Sequence, residues 1–379
     1  MNKKLADQKI KICFVSLNSY HLLIEKNSSY AGGAEIQQIE IAKELKKRGY
    51  EISFIIYGEK NNNVQTKNIH GFNFLYAYNQ NQVNHLSFFH KALCIWRKMK
   101  KADADIYYHS AGSSGITALF CRLNKKKMIT HIASDADVTG ENIITENIVV
   151  DLLNKIGIWV DIKLSDIIIS QSSFQKSKLK ERFNIDSTII KNSIDISLYL
   201  NKKSYGDYLL WVGMIRSVKQ PELFLNIAQY FPEYKFVMIG GVAEDLELFN
   251  KIKNAAEKIA NVKFVGFVPH KNIYSYYQKA ILLINTSKTE GFPNIFLEAW
   301  SFSVPIVSLN IDPDGIISKY KLGFYSKNFD QMLDDIKTLL NNKKLLETLG
   351  ENGRKYVERE HDIKKIITYF IKILKELDS

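Results

Sequence analysis

Short apolar runs alternate with longer segments whose apolar residues recur at helical spacing, and this alternation runs through the chain twice. Ile10-Lys11-Ile12-Cys13-Phe14-Val15-Ser16-Leu17 has the apolar density of a buried first strand. After Gly32-Gly33, the segment Ala34 to Arg48 places Ile36, Ile39, Ile41 and Leu45 at helical spacing and stops at Gly49. Glu51 to Tyr57 returns as a strand, and further strands are predicted at Asp105–Tyr108, Met128–Ala133, Ile167–Ser170 and Thr188–Ile190. A second series opens near Tyr205. Tyr208 to Gly213 reads as a strand entering a loop, and Pro221 starts a helix through Leu223, Phe224, Ile227 and Ala228. Strands follow at Lys235–Ile239, Val262–Val265, Ile281–Asn285 and Pro305–Leu309, with helical segments between them. Strand and helix in alternation predict an α/β chain with two Rossmann-like units of parallel strands and crossover helices. Leu200 to Gly206 is the predicted linker, Asn61-Asn62-Asn63 a loop, and Ile363 to Leu377 an amphipathic tail helix.

Composition fits two domains. The 379 residues are 46% hydrophobic, enough for two cores of about 150–200 residues each. Cys13, Cys94 and Cys121 are odd in number and lack metal-ligand spacing, which argues against a disulfide framework and for a reduced, cytosolic setting. Met1-Asn2-Lys3-Lys4 has the charge of a signal-peptide start, yet Asp7, Lys9 and Lys11 interrupt the apolar run that should follow. No run approaches the roughly 18 apolar residues of a membrane span. The net charge is +12, and residues 1–200 hold 27 Lys and Arg against 19 Asp and Glu. A surplus leaning to the first half fits an anionic membrane surface, an acidic glycan, a nucleic acid or plain solubility. No nucleic-acid-binding motif accompanies it.

The densest chemical signal is Thr289-Glu290-Gly291-Phe292-Pro293-Asn294-Ile295-Phe296-Leu297-Glu298-Ala299. It sets one carboxylate just after an apolar strand and another eight positions on, inside a helix. Gly291 and Pro293 form the turn, and Asn294 is placed to cap the helix. The N–H groups of Asn294, Ile295 and Phe296 would then face out of the helix N-terminus, toward phosphate oxygens. Two acids beside such an anion site make sense for a phosphate ester that also carries sugars, because carboxylates accept hydrogen bonds from vicinal hydroxyls. Arg216 and Lys219, just past the strand ending at Gly213, supply cations where open α/β sheets bind ligands.

Glu290 to Glu298 resembles the Glu-x7-Glu motif of retaining GT-B glycosyltransferases, in particular glycosyltransferase family four. Three further segments carry the same resemblance: Gly32-Gly33-Ala34-Glu35, the basic loop Trp211 to Lys219, and Lys191-Asn192-Ser193-Ile194-Asp195. The resemblance implies two Rossmann-like domains facing across a central cleft. Residues 1–200 would bind the acceptor, 201–360 the nucleotide-sugar, and 361–379 would form a helix packing back on the first domain. It assigns catalysis to Glu290, Arg216 and Lys219, with Glu290 facing donor-sugar hydroxyls and Glu298 the ribose. Gly32, Gly33, Gly213, Gly291, Phe292, Asn294, Ile295 and Glu298 complete the donor site. The family's spacing puts arginine directly after the glycine, where this chain has Met214, so Arg216 is expected to reach in from two positions later or Lys219 to supply most of the charge.

His131-Ile132-Ala133-Ser134-Asp135-Ala136-Asp137 contains an Asp-x-Asp, which binds metal in the other major glycosyltransferase fold. In GT-B proteins the diphosphate charge is met by protein cations, so His131, Asp135 and Asp137 are taken as acceptor-side candidates, with no metal. Asp312-Pro313-Asp314-Gly315 reads as a turn. His85 to Lys101 combines bulky apolar residues with a cationic end, as an interfacial helix does, or as a sheet-packed helix whose lysines meet its C-terminus. The implied protein is a retaining, metal-independent glycosyltransferase that needs no cofactor. It would move a sugar from a nucleotide diphosphate-sugar to a glycan or lipid-linked acceptor in bacterial surface polysaccharide assembly, in the cytoplasm or peripherally on the inner membrane. The alternative is a non-catalytic GT-B subunit that binds nucleotide or glycan as a scaffold.

Overall fold

A computed structural model describes residues 9–19, 32–58, 66–79, 88–111, 115–140, 148–199, 206–243 and 245–378. Met1 to Lys4, Tyr20, Tyr30, Asn61 to Asn63, His85 to Ser87 and Leu200 to Tyr205 lie outside the described residues. The chain divides into two compact units, one of Met1–Ile24, Ala34–Lys191 and Ile366–Ser379, the other of Glu25–Gly33 and Asn192–Lys365.

The first unit is built on strands β1 (Lys11–Val15), β2 (Glu51–Gly58), β3 (Thr66–Ile69), β4 (Phe72–Asn79), β5 (Ile106–Ser110), β6 (Lys127–His131), β7 (Ile167–Ser170) and β8 (Thr188–Ile189). They form one sheet in the order β3-β4-β2-β1-β5-β6-β7-β8. Every pairing is parallel except β3 with β4. That hairpin was not expected from the pattern. It turns at His70 and Gly71, both in left-handed backbone (φ 51 and 74), and its two strands follow each other too closely for a helical crossover. The helices are α1 (Gly33–Lys47), α2 (Phe88–Ala102), α3 (Ile116–Asn124), α4 (Ala136–Thr139), α5 (Ile148–Leu164) and α6 (Ser173–Phe183).

Alternation along β1, β2 and β5 sends side chains to both faces, and both faces are covered. On one face Phe14 stacks with Phe54 at 5.1 Å and Phe54 with Phe74 at 5.7 Å. That core also takes in Ile366, Ile367, Phe370, Ile373, Leu374 and Leu377 from the tail helix, residues Ile363–Asp378. On the other face Cys13, Val15 and Tyr107 pack with Ile95 and Met99 of α2, Ala118 and Phe120 of α3, and Val160 of α5. Thus α2 uses its inner side to cover the sheet, as one of its two expected readings required, while Phe88, Phe89 and Leu93 remain exposed.

The second unit holds β9 (Tyr208–Val212), β10 (Phe236–Ile239), β11 (Val262–Gly266), β12 (Ala280–Asn285), β13 (Ile306–Ser308) and β14 (Gly323–Tyr325). Their order, β11-β10-β9-β12-β13-β14, is parallel throughout. In local numbering this is 3-2-1-4-5-6, the Rossmann order, with its direction reversing between β9 and β12. The short edge strand β14 was not expected from the pattern. Helices α7 (Pro221–Tyr230), α8 (Leu246–Glu257), α9 (His270–Gln278), α10 (Asn294–Ser301), α11 (Ile316–Tyr320), α12 (Phe329–Asn341) and α13 (Lys343–Glu360) complete it, and the tail helix is α14. Trp300 of α10 is fully buried and donates to the Leu322 carbonyl at 3.0 Å. Gly353 of α13 lies against its ring, where an added Cβ would sit 2.4 Å from a ring carbon. Only glycine lets α13 approach α10 this closely, which anchors the helix that carries Glu298.

Candidate functional site

Where strand order reverses, the loops leaving two neighbouring strands diverge and open a crevice at their carboxyl ends. In the second unit those loops follow β9 and β12, and hydrogen bonds tie them together. Trp211 Nε1 donates to Thr286 Oγ1 at 3.0 Å, and Thr286 Oγ1 donates to the Lys219 carbonyl at 2.7 Å. The Lys288 N–H donates to the Val218 carbonyl at 2.8 Å. This framework brings Lys219, at the end of a 3-10 turn (Ser217–Lys219), onto Glu290 in a hydrogen-bonded ion pair. The Glu290 oxygen that accepts from Lys219 also accepts from Ser287 Oγ at 2.7 Å. Both charged side chains are partly sheltered, 23% exposed for Lys219 and 14% for Glu290. Arg216 stands in extended backbone just before the turn, and Met214 is half-buried. Gly213 donates its N–H to the Ile239 carbonyl at 3.0 Å, and a Cβ there would press on Trp211 at 3.2 Å.

Glu298 points from α10 into a different set of partners, which the sequence did not reveal. Its Oε1 lies 2.9 Å from His270 Nε2, and its Oε2 accepts from the Tyr277 hydroxyl at 2.7 Å. Tyr274 extends the chain, its hydroxyl 3.2 Å from His270 Nδ1. Burial, followed by the charge of Glu298, pushes the Tyr277 phenol well above its ordinary pKa, so Tyr277 is a permanent donor. His270 opens α9 and Tyr277 follows two turns later on the same side, which is why they reach one carboxylate together.

The turn between the two acids differs from its expected form. The helix N-cap is Pro293, which has no side-chain donor or acceptor, and Asn294 is the first helical residue. The N–H of Phe296 is already donated to the Pro293 carbonyl at 3.1 Å, so it is not one of the groups facing outward. Asn294 instead cross-links. Its Oδ1 accepts from Asn192 Nδ2 at 2.9 Å, and its Nδ2 donates to the carbonyl of Gly33 at 2.9 Å. Asn192 Nδ2 also donates to the Phe292 carbonyl at 3.0 Å, and the Asn192 carbonyl lies 2.6 Å from His361 Nδ1. Phe292 is buried and packs on the His361 ring at 5.0 Å, while Ile295 is partly buried in the same core. Gly291 lies in the bend between Glu290 and Phe292, and Gly32 leads into the helix that starts at Gly33.

The corresponding edge of the first unit carries polar groups of another kind. Gln38 of α1 donates to Ser110 Oγ at the end of β5 at 2.6 Å, and Asn18 Nδ2 meets Glu35 Oε1 at 3.5 Å. His131, the last residue of β6, is buried, stacks on Tyr108 at 6.1 Å and has Nε2 3.2 Å from Gln171 Nε2. Burial holds its ring down to about 4, so it is neutral at pH 7. Asp135 Oδ1 accepts from Gln175 at 2.9 Å. Asp137 accepts from the N–H groups of Ala133 and Ser134 at 3.2 and 3.0 Å, and burial raises its carboxyl to about 6. These two aspartates therefore shape their own turn. Among the described residues, no group of three or more His, Cys, Asp or Glu side chains is placed to hold a metal ion.

Comparison with known proteins agrees with this architecture. Residues 199–356 match the family model "Glycosyl transferases group 1" and residues 31–198 match "Glycosyltransferase Family 4". An uncharacterized glycosyltransferase of Haemophilus influenzae is 25% identical over 359 residues, spanning 90% of this chain and 96% of that protein. The O-antigen biosynthesis glycosyltransferase WbnH of Escherichia coli is 29% identical over 147 residues, 38% of this chain and 41% of its own. The Anabaena protein Alr3699/HepE, solved in complex with UDP-glucose, superposes with a TM-score of 0.72 at 14% identity, covering 97% of this chain and 100% of its own. Two family models that together run from residue 31 to residue 356, on a pair of Rossmann-ordered sheets, make this chain a GT-B glycosyltransferase resembling glycosyltransferase family four.

Proposed function

We propose that the chain transfers a sugar from a nucleotide diphosphate-sugar to a hydroxyl of a glycan or lipid-linked acceptor in the assembly of a bacterial surface polysaccharide. The transfer retains anomeric configuration and uses no metal. The single observation that carries this reading is the Lys219–Glu290 pair at the reversal point between β9 and β12. It sets a cation and a carboxylate where a sugar diphosphate needs one of each. When the sugar–phosphate bond breaks, negative charge gathers on the departing diphosphate, and fixed positive charge nearby lowers the barrier. Lys219, Arg216 and the N-terminal end of α10 supply it, and the backbone at Gly32, Gly33, Gly213 and Gly291 lets the phosphates approach. Glu290 releases Lys219 to the phosphates and accepts hydrogen bonds from the donor sugar. Glu298, steadied by His270 and Tyr277, accepts from the ribose. The reaction proceeds on one face of the sugar, the departing phosphate taking the acceptor proton, so the protein contributes positioning and charge stabilisation.

Residues 1–200 serve the acceptor and residues 201–360 the donor, with His131, Asp135 and Asp137 on the acceptor side. The E. coli relative's role in O-antigen biosynthesis supports the acceptor class, and the UDP-glucose bound by the Anabaena protein supports the donor class. The protein works on the cytoplasmic side, where nucleotide sugars are made, and peripherally at a membrane when the acceptor is lipid-linked. The test is nucleotide release from a panel of nucleotide sugars by purified protein. Release that is lost in Glu290→Ala supports transfer, whereas tight nucleotide binding without release from any donor would favour the non-catalytic scaffold.

A further inference from the structure

Fifteen large hydrophobic side chains are exposed among the described residues, and nine of them fall on only three helices, α2, α3 and α5. The other six are scattered singly, as they are on most protein surfaces. The three helices form one layer. Their inner sides share a core against the first sheet, and Trp96 of α2 meets Phe120 of α3 edge-on at 4.9 Å. Gly115, which opens α3, lies so close to α5 that a Cβ would come within 3.0 Å of Val160.

The outer sides of that layer are apolar in register. Phe89 and Leu93, Leu119 and Leu123, and Ile156 and Trp159 each lie within one turn of one another. Phe89 is 81% exposed, Leu123 73% and Trp159 53%. Core packing already uses the opposite sides of these helices, and among the described residues of their own unit these side chains stay exposed.

Charge identifies what covers it. The three helices carry eight Lys and Arg against two acids, Asp151 and Asp161, and Asp161 is fully buried. Arg97, Lys100, Arg122 and Lys155 on these helices, and Lys125 just past α3, are exposed. An apolar patch on cation-rich helices, with an indole among its exposed groups, matches the boundary between acyl chains and anionic headgroups. A protein partner of ordinary composition offers no reason for so one-sided a charge. No helix among the described residues is long and apolar enough to cross a membrane, so the contact is with the surface of a bilayer.

We infer that α2, α3 and α5 form a docking face for a lipid bilayer containing anionic headgroups, with Leu123 and Trp159 entering the acyl boundary. This inference needs nothing from the donor chemistry, and nucleotide release can be followed in the same preparations.

The full-length protein is floated with vesicles of phosphatidylcholine alone and of phosphatidylcholine mixed with phosphatidylglycerol. The wild type should rise with the mixed vesicles, far less with the neutral ones, and lose binding as salt increases. The double variant Leu123→Ser/Trp159→Ser should bind the mixed vesicles at least about tenfold more weakly, with an unchanged melting temperature because both positions are exposed. Tryptophan emission should shift to the blue on mixing, and Trp159→Phe should remove most of the shift, because Trp211 and Trp300 are buried and Trp96 is partly buried against Phe120. Failure of the wild type to float with the mixed vesicles, or equal binding by the double variant, overturns the inference. So does a wild type that self-associates without lipid while the double variant is monomeric, which would assign the face to contact between copies.

Discussion

Once β3 and the edge strand β8 are set aside, the two sheets share the Rossmann order, and they differ in what they place at their reversal points. In the second unit the loops after β9 and β12 deliver full charges, Lys219 against Glu290, with Glu298 nearby in sequence on α10. In the first unit the ends of β1, β5 and β6 deliver neutral groups, Ser110, Gln38 and two buried histidines. His109 has Nδ1 3.3 Å from the Val15 carbonyl and Nε2 3.6 Å from Asp161, and burial holds its ring down to about 4, as it does for His131. Burial also pushes the Asp161 carboxyl well up. One topology thus hosts a rim built on a cation–carboxylate pair and another in which neutral hydrogen-bonding groups stand beside Glu35, Asp135 and Asp137.

The strongest way to break that comparison is to discharge the second rim. Lys219→Ala and Glu290→Ala are each expected to lower nucleotide release by roughly 10²–10³, the cost of losing one positioned charge-stabilising group. Initial rates at saturating donor measure this, and wild-type rates in both variants would remove the pair from the reaction.

The buried histidines of the first rim are probed by acid. A histidine near 4 when folded and near 6.5 when unfolded takes up its proton preferentially in the unfolded chain. Each of His109 and His131 therefore contributes stability that is present above about 6.5 and is lost as pH falls toward 4, up to roughly 3 kcal/mol apiece. Asp137 acts oppositely, because its carboxyl at about 6 binds the proton preferentially when folded. Urea unfolding at pH 7 and pH 5 should show the stability loss flattened in His131→Asn and steepened in Asp137→Asn. Parallel curves for all three proteins would mean that these groups are solvated.

A smaller effect is expected at Glu298. His270→Gln keeps a donor but shortens the reach, and Tyr277→Phe removes one donor. Each should raise donor KM about tenfold with little change in kcat, as loss of an interaction made equally in ground and transition states does. Ser287→Ala, which removes a second donor to an already paired Glu290, should cost about 1 kcal/mol or less in kcat/KM.

Much of this was readable from sequence because its signals are local. The turn and helix that carry Glu290 and Glu298 fall within eleven residues, Thr289 to Ala299, just after the apolar strand, and period alone separates strand from helix there. The helix α1 was anticipated within one residue at each end, and the start of α7 at Pro221, for the same reason. The hairpin of β3 and β4 was not, because Asn68 and Asn73 interrupt its alternation and pair with each other across the strands. Asn294 satisfies the composition rule for a helix cap, yet its partner is Asn192, 102 positions away, and no local rule registers such a contact. Separations of 21 and 28 positions likewise hid Tyr277 and His270 from Glu298. Side-chain identity within one element is legible, whereas pairing across elements is decided by packing.

The tail helix has a consequence for how the molecule is made. Six of its apolar side chains finish a core whose first strand is β1, although the whole second unit is encoded between them. A growing chain that emerges in order therefore exposes one side of its earliest sheet until more than 150 further residues have been added. The unit translated first is the one completed last, and shortening the chain at Lys365 would strip the older half of its lining and leave the younger half intact.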